Sequence, residues 1–395
     1  MTTDRTVRVV QITQYLEIGG LESLIMELCR SLDRSRFTPS VLCLNGYDPQ
    51  YAATLEHSGV AVHLVTKRHR RDLLFLQRAA SLLRRLGTDV VHSHGGCFLY
   101  GSLIGRLAGA RLLVHTLHGM PVERGLQARC EERLACALTD RIVAVSDGVA
   151  ADILSRNPAA AHKVTTVING IDTERFKPLN DPRQVSELRR HHGLPTDTAV
   201  IGSVGRLEAV KNYPLLLRAC AELRRSRGIP FHLVLVGSGS EEVDLKQLAA
   251  ELGIGQQVSF PGMCYDLQEV YPTFDLFALS SLTEGTSLSL LEALSCGVPA
   301  VVTAVGGNCR IVQHGVNGYL CRSGDQGPLA LFLGRLLRDE EERRAMGVRA
   351  RSVIRERFAL GGMVAAYQEL YRDGAVAAPA LSPEAELSSY EILLP

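Results

Sequence analysis

Apolar residues along this chain follow two alternating spacings. Short runs in which β-branched and other apolar residues dominate occupy residues 7–13, 40–44, 61–65, 90–92, 112–116 and 141–145. The stretches between them, such as 21–32 and 73–86, repeat their apolar positions at helical spacing. A second series of runs begins near residue 198 and takes in 199–204, 231–236, 258–260, 276–279 and 300–303. Strands and helices in regular alternation describe a parallel sheet covered on both faces, so two such series predict two doubly wound α/β domains. Turn residues between Ile171 and Pro182 mark the linker, and no repeat of solenoid length is visible. The expected organisation is a first domain over residues 1–178, a second over 179–357, a further helix over 358–374, and a tail over 375–395. That tail is rich in Ala, Pro, Ser and Glu and reads as flexible.

Composition narrows the class. A chain of 395 residues is long enough for two separate cores. With 46% hydrophobic residues, 22% charged residues and a formal net charge of +1, a largely disordered chain is excluded and no nucleic-acid partner is expected. No stretch approaches the roughly 18 uninterrupted apolar residues of a membrane span, and the polar start Met-Thr-Thr-Asp-Arg lacks a signal-peptide core. A cytoplasmic location is therefore expected. The ten cysteines include no Cys-x-x-Cys pair and mostly sit in apolar patterns, which predicts reduced core thiols.

Candidate chemistry gathers where strands end. In Glu284-Gly-Thr-Ser-Leu-Ser-Leu-Leu-Glu292 two carboxylates flank a small-residue loop that opens a helix. Gly285, Thr286 and Ser287 leave room for close backbone approach, and the first helical turn offers free N–H groups beside a positive dipole end, which suits phosphate. Eight helical residues advance about 12 Å, so Glu284 and Glu292 reach opposite ends of an extended ligand, with hydroxyl groups as their natural partners. A capped helix with two solvated glutamates is the plain alternative. Gly205-Arg206 through Lys211 places a guanidinium and an ammonium beyond the first strand of the second domain, where they can flank a diphosphate. Gly237-Ser-Gly-Ser240 is a second loop of this kind, and Gly19-Gly20-Leu-Glu22 opens a helix after the first strand without forming a dinucleotide fingerprint. His92, His94, His115 and His118 cluster near two strand ends, but no Asp-x-Asp or regular His/carboxylate set accompanies them, so no metal is expected.

Residues 272–280 before the Glu284 motif, Cys296 to Thr303 after it and Gly315 to Leu320 beyond complete a pattern that resembles the glycosyltransferases of family 4, from about residue 8 to about residue 372. The resemblance implies a GT-B fold, an acceptor-side first domain facing a second domain that binds a nucleotide sugar, with the helix near 358–371 crossing back onto the first. It implies that Arg206 and Lys211 hold the donor diphosphate, that Thr286, Ser287 and Leu288 offer backbone N–H groups to the phosphates, that Glu292 accepts from the ribose, and that Glu284 sits near the donor sugar. Gly19 and Gly20 would lie between donor phosphate and acceptor, Gly205 and Gly237 would shape the donor pocket, residues 261–265 would grip the base, and His118 would face the reacting sugar. Ser146 to Gly148 and Asn169 to Asp172 fit the same pattern as parts of the cleft and linker. The implied reaction is transfer with retention from a nucleotide diphosphate sugar, a UDP- or GDP-sugar, to a hydroxyl acceptor. The resemblance implies no dedicated base, because the leaving diphosphate helps deprotonate the acceptor, and no cofactor or metal, because Arg206 and Lys211 can do a metal's electrostatic work.

Charge adds a hint about that acceptor. Residues 1–180 hold 22 Lys and Arg against 17 Asp and Glu, while the remainder hold 21 against 25. Lys67-Arg-His-Arg-Arg71 leads into the amphipathic stretch carrying Arg78, Arg84 and Arg85, which suits either an anionic membrane surface or a solvated helix face. The first reading places the enzyme at the inner face of the membrane, extending a lipid-linked glycan or polysaccharide. A nucleotide-sugar epimerase or hydrolase on a related fold, and a non-catalytic binding subunit, remain the alternatives.

Overall fold

The computed structural model of the protein describes residues 6–68, 72, 74–119 and 125–373. Part of the basic run (residues 69–71), Leu73 and the tail over 375–395 lie outside the described residues. Among the described residues seven strands form the first sheet: β1 (Val7–Leu16), β2 (Phe37–Tyr47), β3 (Ala61–Leu64), β4 (Val90–His94), β5 (Leu112–Leu117), β6 (Arg141–Ala144) and β7 (Val164–Thr166). Their spatial order is β3-β2-β1-β4-β5-β6-β7, and every pairing is parallel. The second sheet holds β8 (Val200–Val204), β9 (His232–Val236), β10 (Val258–Gly262), β11 (Leu276–Leu279), β12 (Ala300–Thr303) and β13 (Gly318–Cys321) in the order β10-β9-β8-β11-β12-β13, again all parallel. The fold is two doubly wound domains. Winding reverses between β1 and β4 and between β8 and β11, which opens a crevice beyond the carboxyl end of each sheet.

Both faces of each sheet are covered. In the second domain one core gathers Leu216, Leu233, Leu276 and Leu333, and the other gathers Val234, Phe277, Leu290 and Ile354. Ile171 and Phe176 of the linker pack into the latter. In the first domain Val10, Ile12, Leu42, Phe75 and Leu83 fill one side. Its other side is closed by Met363, Val364, Tyr367, Leu370 and Tyr371 of the Leu360–Asp373 helix, packed on Val9, Leu24 and Val90. The chain thus crosses between domains twice, and the crossings run side by side. Ile171 donates its N–H to Phe358 and accepts from Leu360, at 3.0 and 2.8 Å. Gly170 is required there, because a Cβ would stand 2.8 Å from the Ala359 carbonyl oxygen.

Seven of the ten cysteines are buried in these cores. Among the described residues no helix is long and apolar enough to cross a membrane.

Candidate functional site

The loop after β8 turns through Gly205 and Arg206 into the Ala209–Lys211 turn, and Asn212 then takes a left-handed conformation, φ 49°, before the next helix. It is tied to the loop after β11. Leu282 donates its N–H to the Val210 carbonyl at 2.8 Å, and the Ser280 hydroxyl reaches the carbonyls of Lys211 and Asn212. Gly237, at φ 136°, lies so close that a Cβ would meet the Gly205 carbonyl oxygen at 2.1 Å. The two glycines therefore let the loops after β8 and β9 pack backbone on backbone.

These ties bring Lys211 and Glu284 together across 73 positions of sequence. Lys211 Nζ stands 2.6 Å from Glu284 Oε1, and the Ser281 hydroxyl donates to the same oxygen at 2.6 Å. Both side chains of the ion pair are largely shielded from solvent. Beyond Glu284, the Leu288–Ser295 helix opens with Ser287, whose hydroxyl accepts from the Leu290 N–H. Gly306, at φ 49°, and Gly307 press against the backbone of Glu284 and Gly285 and hold this loop in place. Further along the helix, the Tyr271 hydroxyl donates to Glu292 Oε2 at 2.6 Å. Burial raises the Glu292 carboxyl to about 7, against the opposing pull of that hydroxyl and of Arg175.

The first domain closes over this loop. A Cβ on Gly285 would lie 2.3 Å from the His118 carbonyl oxygen, so the space the sequence suggested for a ligand at that α-carbon is filled by His118 backbone. The Thr286 hydroxyl donates to the Val145 carbonyl, and Asn169 donates to the Thr286 carbonyl at 3.4 Å. Leu288 reaches Gly20, Arg310 pairs with Asp147, and Tyr265 donates to Asp48 at 3.1 Å. Arg175 joins Glu27 and Gln268, each at 3.1 Å. Sequence reasoning passed over Glu22. Its carboxylate folds back toward Gly19, and a Cβ there would stand 2.2 Å from it. Burial raises the Glu22 carboxyl above its ordinary range, while its own backbone N–H and the Arg206 guanidinium draw it back. Arg206, exposed on its loop, thus acts on a first-domain carboxylate, a proximity that spacing alone does not reveal.

Beneath the cleft His92 and His94 form a buried polar layer, with half-buried His118 at its end. His118 Nε2 meets His94 Nδ1 at 3.1 Å, and His94 Nε2 meets Gln11 Oε1 at 2.7 Å. Gln11 Nε2 donates to the Tyr371 hydroxyl at 3.1 Å, which contacts His92 Nδ1 at 2.6 Å. His92 Nε2 meets the Thr116 hydroxyl at 2.7 Å, and that hydroxyl meets Tyr367 at 3.0 Å. His115 instead stacks on Phe98. Burial lowers His92 and His94 well below the ordinary imidazole range and His118 to about 3, so the layer is neutral. Among the described residues no group of three or more His, Cys, Asp or Glu could hold a metal ion.

Two facing doubly wound domains with a cleft at both switch points define the GT-B architecture. HepE of Anabaena, solved in complex with UDP and glucose, superimposes with a TM-score of 0.81 over 92% of this chain and 98% of that one, at 22% identity. The description "Glycosyl transferases group 1" matches residues 184–353, and "Glycosyltransferase Family 4" matches residues 18–175. The N-acetyl-alpha-D-glucosaminyl L-malate synthase of Bacillus anthracis is 31% identical over 311 residues, covering 76% of this chain and 79% of that protein. The UDP-Gal:alpha-D-GlcNAc-diphosphoundecaprenol alpha-1,3-galactosyltransferase of Escherichia coli is 27% identical over 77% of this chain and 80% of its own length. The chain belongs to glycosyltransferase family 4.

Proposed function

We propose that this protein transfers a sugar from a nucleotide diphosphate sugar, a UDP- or GDP-sugar, to a hydroxyl of a glycan or lipid-linked acceptor, with retention and without a metal ion. The observation that carries this reading is the shielded Lys211–Glu284 pair, set beside a helix N-terminus at the switch point of the second sheet, with the adjacent Gly285 packed on the His118 backbone. Arg206 and Lys211 take up the charge that develops on the leaving diphosphate, and the N–H groups of Thr286, Ser287 and Leu288 share it. Glu292 accepts from the ribose, Glu284 holds the donor sugar, His118 faces that sugar, and Gly19 and Gly20 line the opposite wall. Contacts already joining the domains exclude water during transfer and so suppress hydrolysis of the donor. The names of relatives support the donor class, since one carries UDP-Gal and a solved neighbour holds UDP. Thermal melts against uridine, guanosine and adenosine diphosphates and their sugars test it. One base should raise the melting temperature by mass action in wild type and not in Glu292→Ala or Arg206→Ala. No rise with any nucleotide would sink the reading. Product anomer by NMR tests retention, and activity surviving chelation tests metal independence. Turnover of donor alone to a free or epimerised sugar would favour the hydrolase or epimerase reading.

The same proposal places the enzyme in the cytoplasm, at the inner face of the membrane. Exposed Arg68, Arg85 and Leu64, the last 48% exposed, line an open groove of about 690 Å³, and Leu74, 60% exposed, and exposed Arg84 lie at the two ends of the Phe75–Leu86 helix that forms one side of it. Cations around apolar side chains suit an anionic lipid surface. Sedimentation with phosphatidylglycerol vesicles should fall sharply when the three arginines become glutamine; unchanged sedimentation would remove the membrane from the proposal.

A further inference from the structure

The buried polar layer has a direction. Gln11 stands at its centre with one group that only donates and one that only accepts. Its Nε2 donates to Tyr371, so the single hydroxyl proton of Tyr371 is left for His92 Nδ1. On the other side, Gln11 Oε1 accepts from His94, so the proton of neutral His94 is on Nε2 and its Nδ1 is an acceptor. That acceptor faces His118 Nε2, which must then carry the proton of His118. The remaining nitrogen of His118, Nδ1, is then the unprotonated one, and it has no hydrogen-bond partner among the described residues. Had Gln11 been turned over, every proton in the row would be reversed.

We infer that Tyr371, on the helix that crosses back from the second domain, is a positioning residue: through Gln11 and His94 it holds His118 as the Nε2–H tautomer and presents the Nδ1 lone pair to a sugar hydroxyl in the cleft. This rests on the placement of His118 opposite the reacting sugar proposed above. The consequence is chemical. A histidine fixed this way accepts a hydrogen bond from a hydroxyl and does not donate one, so it orients a hydroxyl-bearing ring and leaves the leaving group to Arg206 and Lys211. Burial keeps His92 and His94 neutral, so the row carries a single pattern of protons throughout the neutral range. The helix that supplies Tyr371 also forms part of the crossing between domains, so the tautomer of His118 depends on that helix being docked.

Nitrogen NMR of ¹⁵N-histidine-labelled protein tests this without turnover, because the two neutral tautomers give different shift patterns, and loss of signals in His118→Gln assigns them. Wild type should show His118 as one Nε2–H tautomer. In Tyr371→Phe the two nitrogens should shift toward each other as tautomers mix, with kcat down about tenfold and donor KM within about twofold. Gln11→Met breaks the same row at a second place and should do likewise, which keeps the test intact if Tyr371→Phe folds poorly. His118 in the Nδ1–H form, or unchanged His118 shifts in both variants, would overturn the inference. If His118→Ala retains wild-type kcat, the functional placement of His118 fails separately, whatever the tautomer.

Discussion

At the scale of the residue, Glu292 carries the clearest signature. A carboxyl ordinarily titrates near 4.5, and burial moves this one to about 7. Between those values the folded protein still holds a proton that the unfolded chain has released. The sign follows: this group removes stability as pH rises through that window, and the loss is complete above about 7. Glu292→Gln should therefore melt higher than wild type near pH 8 and alike near pH 4, checked by melts across that range; parallel curves would mean that the carboxyl is not perturbed. Ribose hydroxyls donating to Glu292 favour its ionised form, so nucleotide binding near pH 6.5 should release a proton, and affinity should weaken up to about tenfold per unit below pH 7. Calorimetry in buffers of different ionisation enthalpy reads that proton directly, and uptake in place of release would exclude the ribose role. Removing the Tyr271 hydroxyl should push the Glu292 transition higher still, since its hydrogen bond favours the charged form.

At the scale of the element, two glycines on facing domains make opposite predictions. Gly20 opens a helix, and a Cβ there would make an ordinary 3.4 Å contact with Leu288. Gly20→Ala should hold or raise stability by about 0.5–1 kcal/mol, because alanine is the better helix former. Gly285→Ala puts a methyl into the His118 carbonyl oxygen at 2.3 Å and Val145 at 3.1 Å, so the domains can meet only by displacing one loop. Transfer activity should fall at least about tenfold with little change in the melt of either core, and an active Gly285→Ala enzyme would show that this contact is not part of the working state. The same contrast shows what was legible in the sequence. Strong apolar runs gave most strands within a few residues, including β11 and β12 at their observed ends. β7 and β13 carried no such signal, since Val-Thr-Thr and Gly-Tyr-Leu-Cys offer too short a run of β-branched apolar residues to stand out. The candidate site residues stood out by type and position. Their partners did not: Lys211 with Glu284, Gly285 with His118 and Arg206 with Glu22 are joined by tertiary structure across long separations, where spacing carries no information.

At the scale of the whole molecule, the Leu360–Asp373 helix decides whether the first domain is complete. Met363, Val364, Tyr367, Leu370 and Tyr371 are each at most 5% exposed and cover one face of the first sheet. At roughly 1.5–3 kcal/mol per buried side chain they contribute on the order of 10 kcal/mol, comparable with the ~5–15 kcal/mol that holds a typical protein folded. That figure is an upper bound, because an unfolded chain already buries some of this surface. Removal also strips His92, Gln11 and Thr116 of hydroxyl partners in a buried layer, a further cost. Neither core of the second domain draws on this helix, for their last member is Phe358. A chain ending at residue 358 should therefore lose the cooperative melt of the first domain and keep that of the second, giving one residual transition by calorimetry. Two intact transitions would mean that the first domain folds without the helix that crosses to it, and the coupling between that helix and the site argued from Tyr371 would fall with it. A helix that belongs to one domain by sequence and to the other by packing makes closure of the cleft and completion of the first core parts of one equilibrium.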